Sequence, residues 1–303
     1  MMSSWRRQTC WRGQGGASYE GAMKVSERAL DAGLNGFWLE PEAPSDAGVV
    51  VLGGSSGTIP MERARLLAGL GFRVAALCWF GGPGQSPGIC EIPVEIFEKA
   101  IDQLVSAGCG RIAVLGTSKG AEAALLIASL DPRVDLVVAF SPSSVVWANV
   151  GPGADGFEWP LRSSFTWRGA ALPFVPHEAE ALLSVGRLPP IRYLGLFERS
   201  LEVFADRLEA AAIPIEQTRA DVVLVAGGDD QLWPSAYFAK NLAQRLSASG
   251  RPATLLTHPQ AGHRVLLPGE AAQRSRLNEH GGDDEADATL GGLAWKELTA
   301  WLG

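Results

Sequence analysis

The pattern in this chain most able to do chemistry is a Gly-x-Ser-x-Gly, with Gly116, Ser118 and Gly120 at its fixed positions. A serine between two glycines on a sharp strand-to-helix turn presents its hydroxyl as a nucleophile above a parallel sheet. The chain contains 36 glycines, so the same pattern can arise by chance or in an ordinary tight turn. It therefore predicts a nucleophile only if a base, an orienting acid and an oxyanion hole are also present.

Candidates for the base and the acid follow Ser118 in the chain. His263 comes after one apolar, strand-like segment, and the adjacent pair Asp229 and Asp230 ends another. In hydrolases with this turn, the chain order is serine, then Asp or Glu, then histidine. We therefore predict a triad of Ser118, one of the two aspartates and His263. The remaining histidines are interpreted as surface or packing residues: His177, His258 and His280.

Two backbone N–H groups are candidates for the oxyanion hole. One belongs to Lys119, directly after the nucleophile, and the other to Gly54 or Ser55 in the glycine-rich loop 52–57. A glycine-rich loop can also hold phosphate, but this one lacks the Gly-Lys-Ser/Thr ending of a P-loop. The loop is therefore interpreted as part of an acyl-transfer site.

The elements that would position these residues alternate between strand and helix. Apolar runs predict strands over 34–41, 49–54, 72–79, 111–116, 134–141, 220–228 and 253–259. Helical spacing predicts helices over 61–71, 91–108, 119–130, 235–249 and 290–302. This alternation is typical of an α/β fold with a doubly wound, mostly parallel sheet.

One interval, residues 142–219, breaks this alternation and is rich in Trp, Pro and Gly. An excursion of this length between sheet strands usually forms a cap or lid over a site, so we predict a cap that is dispensable for the sheet. A surface insertion without function is the alternative. Residues 1–22 show no periodicity and are expected to be a flexible N-terminus before one domain over 23–303.

Composition excludes several classes of function. The net charge of −7 argues against a nucleic-acid binder, which needs a basic face. Four cysteines without C-x-x-C spacing predict reduced thiols, no metal site and a cytoplasmic protein. No segment reaches the ~18 consecutive apolar residues that a membrane span needs. The sequence does not decide whether the chain forms a homo-oligomer.

Four segments, GTSKGAEAALLIAS, FTWRGAALP, GGDDQLWPS and HPQAGH, resemble the C-terminal catalytic domain of the acyl-CoA thioesterase and bile acid-CoA:amino acid N-acyltransferase family. The resemblance runs from about Gly48 to the end and implies an α/β-hydrolase fold. By position it implies Ser118 as nucleophile, Asp230 as acid and His263 as base. A serine at this position resembles the thioesterase branch, because the amino-acid-conjugating branch is associated with cysteine. The N-terminal β-sandwich of the family's long enzymes is expected to be absent.

We therefore expect a serine thioester hydrolase that acts on acyl-CoA or on an acyl group carried by a carrier protein, without metal or cofactor. Aromatic residues of the predicted cap and of the acid loop are candidates for binding the acyl chain: Trp147, Phe157, Trp159, Phe165, Trp167, Phe174 and Trp233. Some of these aromatics are expected to form the cap's own core. The alternatives are an acyltransferase that uses an amine or alcohol, a carboxylesterase or dienelactone-hydrolase-like enzyme, and a non-catalytic binding protein.

Overall fold

The structure is a computed structural model that describes residues 24–31, 33–272 and 274–302. The predicted flexible segment 1–22 lies outside these residues. In the described chain the strands are β1 (Val25–Ala29), β2 (Asn35–Pro41), β3 (Ala47–Leu52), β4 (Arg73–Cys78), β5 (Ile92–Pro93), β6 (Arg111–Thr117), β7 (Leu136–Phe140), β8 (Phe165–Trp167), β9 (Ala170–Ala171), β10 (Asp221–Gly227) and β11 (Thr254–His258).

The α-helices are α1 (Met61–Gly69), α2 (Glu95–Ser106), α3 (Lys119–Leu130), α4 (Ala179–Ser184), α5 (Leu194–Val203), α6 (Leu208–Ala211), α7 (Ser235–Ala248) and α8 (Asp284–Leu302). The central sheet has the strand order β1-β2-β4-β3-β6-β7-β10-β11. The pairs β1–β2 and β2–β4 are antiparallel, and the other pairs in this sheet are parallel.

The sheet is covered by helices on both faces, and this explains why its central strands are apolar without interruption. Successive side chains of a strand point to opposite faces. On β3, Val50 and Leu52 therefore pack in the core that contains α2, α3 and α7, whereas Val49 and Val51 pack in the core that contains α1 and α8. Since the parallel strands all end at one edge, the loops that follow β3, β6, β10 and β11 meet there.

The predicted strands and helices outside the insertion are confirmed in the described chain, with differences at β1, α8 and α2. Strand β1 was not predicted, because its five residues are mostly polar and exposed. Helix α8 begins six residues before the predicted start at 290, because its first turn is acidic and lacks an apolar pattern. Helix α2 begins at Glu95, four residues after the predicted start at 91, and strand β5, which was not predicted, lies just before it.

The insertion over 142–219 is more closely joined to the domain than a dispensable cap would be. It contains β8, which pairs in parallel with β5 of the main chain in a second, three-stranded sheet. Phe165 of β8 is fully buried in the main core, where its ring stacks on Trp79 at 6.0 Å. The insertion supplies no strand to the central sheet, and β8 was not predicted because a strand of three residues is too short to show a pattern in the sequence.

The cysteine prediction is confirmed in part. Cys90 and Cys109 are free and buried, and Cys10 lies outside the described residues. Cys78 is disulfide-bonded, so the expectation of a reduced thiol is wrong there. Among the helices of the described residues, none combines the length and the apolar character needed to cross a membrane.

Candidate active site

Ser118 lies between β6 and α3 in a backbone conformation that few side chains adopt, with φ 58° and ψ −122°. The flanking glycines are required by close packing. A Cβ atom on Gly116 would lie 2.1 Å from the carbonyl oxygen of Gly120, and one on Gly120 would lie 2.4 Å from that of Gly53. The Ser118 N–H donates to the Phe140 carbonyl at 2.9 Å, which fixes the turn over the sheet edge. The geometry is that of a nucleophile elbow.

Asp230 and His263 are brought together by the loops after β10 and β11. Oδ2 of Asp230 lies 2.7 Å from Nδ1 of His263, and both residues are buried. Oδ1 of Asp230 accepts the N–H groups of Leu232 and Trp233 at 2.9 and 3.2 Å. The carboxylate therefore keeps one oxygen for the imidazole, and a proton on Nδ1 leaves Nε2 free to act as a base.

The described contacts of Ser118 do not include a hydrogen bond from its Oγ to His263. Such bonds are commonly long before a substrate binds and shorten in the reacting complex. The other aspartate, Asp229, points away from the histidine. Its carboxylate accepts the side-chain amide of Gln231 at 2.8 Å and the N–H of Gly282 at 2.9 Å. The structure thus brings Asp230, and not Asp229, to the imidazole.

The candidate oxyanion hole lies beside Ser118. The N–H of Lys119 is the first of α3 and has no acceptor within the helix. Gly54 is next to the nucleophile, because a Cβ atom on it would lie 3.2 Å from Ser118 Cβ and 3.7 Å from Ser118 Oγ. The indole of Trp79 donates to the Gly53 carbonyl at 3.1 Å and holds this loop. Of the two predicted loop donors, this geometry favours Gly54, since no described contact joins Ser55 to Ser118.

Lys119 and Glu122 form an ion pair that sequence analysis missed. Nζ of Lys119 lies 2.6 Å from Oε2 of Glu122, and both side chains are almost completely buried. Burial lowers the pKa of the Lys119 ammonium and raises the pKa of the Glu122 carboxyl, while their mutual attraction opposes both shifts. The pair could have been predicted from two opposite charges three residues apart in an otherwise apolar helix.

This ion pair also anchors the insertion to the nucleophile helix. Nζ of Lys119 donates to Oγ of Ser164 at 2.8 Å, and the N–H of Trp147 donates to Oε1 of Glu122 at 3.1 Å. The Ser164 hydroxyl in turn donates to the Ala148 carbonyl at 2.9 Å. The polar groups of the pair are therefore satisfied by the insertion itself.

Aromatic side chains form a continuous cluster from His263 into the insertion. The ring of Trp233 lies 6.0 Å from that of His263, Phe197 lies 5.6 Å from Trp233, and Trp147 lies 4.8 Å from Phe197. His177 stacks on Trp147 at 5.9 Å. Burial, and secondarily the charge of Lys119, lowers the pKa of His177 to about 4.

Four of the seven aromatic residues predicted to bind the acyl chain, Trp147, Trp167, Phe174 and Trp233, do not share one surface. Trp147 and Trp233 are only 0% and 2% exposed and belong to the aromatic cluster that contacts His263. Trp167 and Phe174 are half-buried and pack against the main hydrophobic core. The predicted packing role of aromatic residues in the insertion therefore fits Trp147 best.

His280, which sequence analysis interpreted as a surface or packing residue, is a neighbour of His263. Its carbonyl accepts the N–H of His263 at 2.8 Å, and the two rings lie 5.9 Å apart. Burial, followed by the nearby His263, lowers the pKa of His280 to about 4. It is 17 positions further along the chain, and no pattern in the sequence connects it to the site.

Ser141, at the end of β7, connects the base loop with the acid loop. It is fully buried and has a φ of 47°, which is rare for a residue other than glycine. Its hydroxyl donates to the His263 carbonyl at 2.7 Å, and its own carbonyl accepts the indole N–H of Trp233 at 3.1 Å. A strained residue therefore holds the base next to the segment that carries the acid.

The sheet order, the elbow and the Asp230–His263 pair define an α/β hydrolase. Residues 92–303 match the family described as BAAT / Acyl-CoA thioester hydrolase C terminal, and the chain belongs to this family. The resemblance found in the sequence is thereby confirmed.

Human acyl-coenzyme A thioesterase 1 is 27% identical over 278 residues, which cover 88% of this chain and 62% of the relative. Human mitochondrial acyl-coenzyme A thioesterase 2 is also 27% identical over 278 residues, which cover 88% of this chain and 54% of that protein. The chain thus spans little more than half the length of these relatives.

Solved structures share the fold at low sequence identity. A dienelactone hydrolase-like promiscuous phosphotriesterase from metagenomic libraries has a TM-score of 0.52 and 15% identity, with 93% of this chain and 98% of that chain covered. An esterase from Pyrococcus furiosus has a TM-score of 0.50 and 14% identity, with 81% and 86% covered. These similarities confirm the predicted α/β-hydrolase fold.

Proposed function

We propose that this protein is a serine thioester hydrolase that cleaves acyl-CoA or acyl-carrier-protein thioesters through an acyl-serine intermediate. The single observation that carries the proposal is the 2.7 Å contact between Asp230 and His263, at the sheet edge where the strained elbow of Ser118 also lies. The homology to acyl-coenzyme A thioesterases supports the choice of an acyl-CoA substrate.

In the proposed reaction, His263 accepts the proton of Ser118 as its oxygen attacks the thioester carbonyl. Asp230 holds the imidazole with its proton on Nδ1 and stabilises the imidazolium that forms. The N–H groups of Lys119 and Gly54 stabilise the oxyanion, aided by the N-terminus of α3. The thiolate leaves with the proton from His263, and water activated by the same histidine then releases the acid.

An acyltransferase shares the first half of this reaction, so the acceptor decides between the two functions. If an amine or alcohol replaces water in the second half, the same acyl-serine gives an amide or ester. The family that the sequence resembles also has an amino-acid-conjugating branch, so the acyltransferase is the second candidate to be tested.

The test is a panel of acyl-CoA and acyl-carrier thioesters, assayed with and without amine acceptors. We expect thiol release without an acceptor and an acyl adduct on Ser118 in intact-mass spectra. Ser118→Ala should abolish both while circular dichroism stays unchanged, and Ser247→Ala, an exposed serine of α7, is the matched control. Thiol release that depends on an amine would favour the acyltransferase, and full activity of Ser118→Ala would refute the nucleophile.

A further inference from the structure

Arg63 of α1 is a buried arginine whose guanidinium contacts both halves of the proposed site. It is 6% exposed. Its Nη1 donates to Oγ1 of Thr117, the residue before the nucleophile, at 3.0 Å. Its Nη2 donates to the carbonyl of Val265, two residues after the base, at 2.9 Å. One side chain therefore joins the elbow to the base loop.

The same guanidinium is fixed in place by a carboxylate and an aromatic ring. Nε and Nη2 of Arg63 donate to Oε1 and Oε2 of Glu270, both at 2.7 Å. Oε2 of Glu270 also accepts the N–H of Leu267 at 2.8 Å. The guanidinium lies over the ring of Phe140 at 4.4 Å, and the Phe140 carbonyl accepts the N–H of Ser118.

A buried ion pair adds little net stability to a fold, because the desolvation of its two charges offsets much of their attraction. What a guanidinium supplies is a rigid planar fork of five donors, which a lysine cannot reproduce. Here the fork reaches Thr117, Val265 and Glu270 at once. Its contacts fix the relative position of two loops that carry Ser118 and His263.

We propose that Arg63 is a positioning residue that sets the distance between the Ser118 hydroxyl and the His263 imidazole. The proposal rests on the proposed function, since it assigns Ser118 and His263 their roles. Arg63 contacts neither the substrate nor the reacting atoms. It acts through Thr117 on one side and through the 265–270 segment on the other.

The test compares Arg63→Lys with Arg65→Lys, because Arg65 on the same helix forms a similar bidentate pair with Glu27 far from the triad. The readouts are the second-order rate of Ser118 labelling by a fluorophosphonate, kcat and KM on one thioester, and the melting temperature. Since a shift of about 1 Å can cost about a hundredfold in rate, we expect Arg63→Lys to slow labelling and kcat by about 10–100-fold. KM should stay within about twofold, and Arg65→Lys should label like the wild type.

A pair of Thr117 variants tests the same proposal if the Arg63→Lys variant does not fold. Thr117→Val removes only the hydroxyl that accepts from Arg63, and Thr117→Ser retains it. We expect labelling by the valine variant to slow by about 3–10-fold and labelling by the serine variant to match the wild type, in line with the loss of one charged hydrogen bond.

The melting temperature and the labelling rate together distinguish a positioning role of Arg63 from a purely structural one. The activity of the wild type tests the proposed function separately. If Arg63→Lys or Thr117→Val lowers the melting temperature but the folded protein labels at the wild-type rate, Arg63 is only structural and the proposal fails. If the wild type itself is not labelled and releases no thiol, the proposed function fails, and the positioning role fails with it.

Discussion

Oδ2 of Asp230 lies 2.7 Å from Nδ1 of His263, while the adjacent Asp229 directs its carboxylate to the N–H of Gly282. Both aspartates follow β10, which ends at Gly227, and Asp229 lies in a turn, where its carboxylate is held by partners other than the imidazole. The two carboxylates thus have separate partners although nothing but position distinguishes them in the sequence.

We therefore expect Asp230→Asn to lower kcat by about 10⁴, because an amide in place of the carboxylate stabilises the wrong tautomer of His263. Asp229→Asn keeps an acceptor for Gly282 and should cost about tenfold or less. Steady-state kinetics of both variants on one thioester measure the difference. The opposite ranking would make Asp229 the acid.

Glu122→Gln should strongly destabilise the fold. The substitution leaves the buried ammonium of Lys119 without its counter-charge, which typically costs about 3–5 kcal/mol. The exposed pair Arg199–Glu202 has the same i,i+3 spacing, so Glu202→Gln is the matched control and should cost less than about 1 kcal/mol. Urea unfolding measures both. Equal effects of the two substitutions would show that the buried pair does not anchor the insertion.

Phe165→Ala should destabilise the whole domain, because this ring is fully buried in the main core. A cavity of this kind costs about 3–5 kcal/mol. Phe157, 84% exposed in the same insertion, is the control, and its replacement by alanine should change stability by less than about 0.5 kcal/mol.

Deletion of residues 150–215 should prevent folding, because the deleted segment contains Phe165 and its buried contacts with the main core. If the deletion variant retained the native circular dichroism and melted cooperatively, the insertion would be dispensable for folding, as the sequence analysis predicted.

His177 should make stability depend on pH between about 6.5 and 4. Its pKa is about 4 in the folded protein and ordinarily 6.5, so in this window the unfolded chain binds a proton that the folded chain does not. Stability is therefore lost as the pH falls through the window, by up to about 3 kcal/mol.

His177→Phe retains an aromatic ring on Trp147 and removes the titrating group. Its unfolding free energy, measured by urea titration at several pH values, should fall less steeply than that of the wild type between about pH 6.5 and 4. The two curves should run parallel above pH 7, where both states are neutral at this position. Parallel curves throughout would mean that His177 titrates alike in both states.

The central sheet could be predicted because its strands, such as β3 and β6, are short apolar runs between helices of clear period. The contact between Asp230 and His263 could be anticipated because these residues follow strand ends in the chain order typical of hydrolases with this turn. What could not be predicted depends on contacts between distant segments. Strand β8 is three residues long, and Arg63 meets Glu270 across 207 positions.

The buried Lys119–Glu122 pair shows a different limit of prediction from the sequence. Its two residues stand in the segment most important for the site, yet helical spacing alone does not distinguish a solvated pair from a buried one. Burial here results from the insertion that covers α3, with Ser164 and Trp147 as partners. Whether such a pair is buried can therefore be decided only when the position of the insertion over α3 is known.

The C-terminal segment that holds the base loop has a consequence for synthesis of the chain. The N–H of His263 donates to the carbonyl of His280, and the N–H of Gly262 donates to Asp287 at 2.8 Å. A ribosome that adds about 5–20 residues per second makes Ser118 roughly 10–30 seconds before Asp287. The loop that carries His263 therefore gains these partners only after residues 280–287 have been made, and Asp287 follows Gly262 by 25 positions.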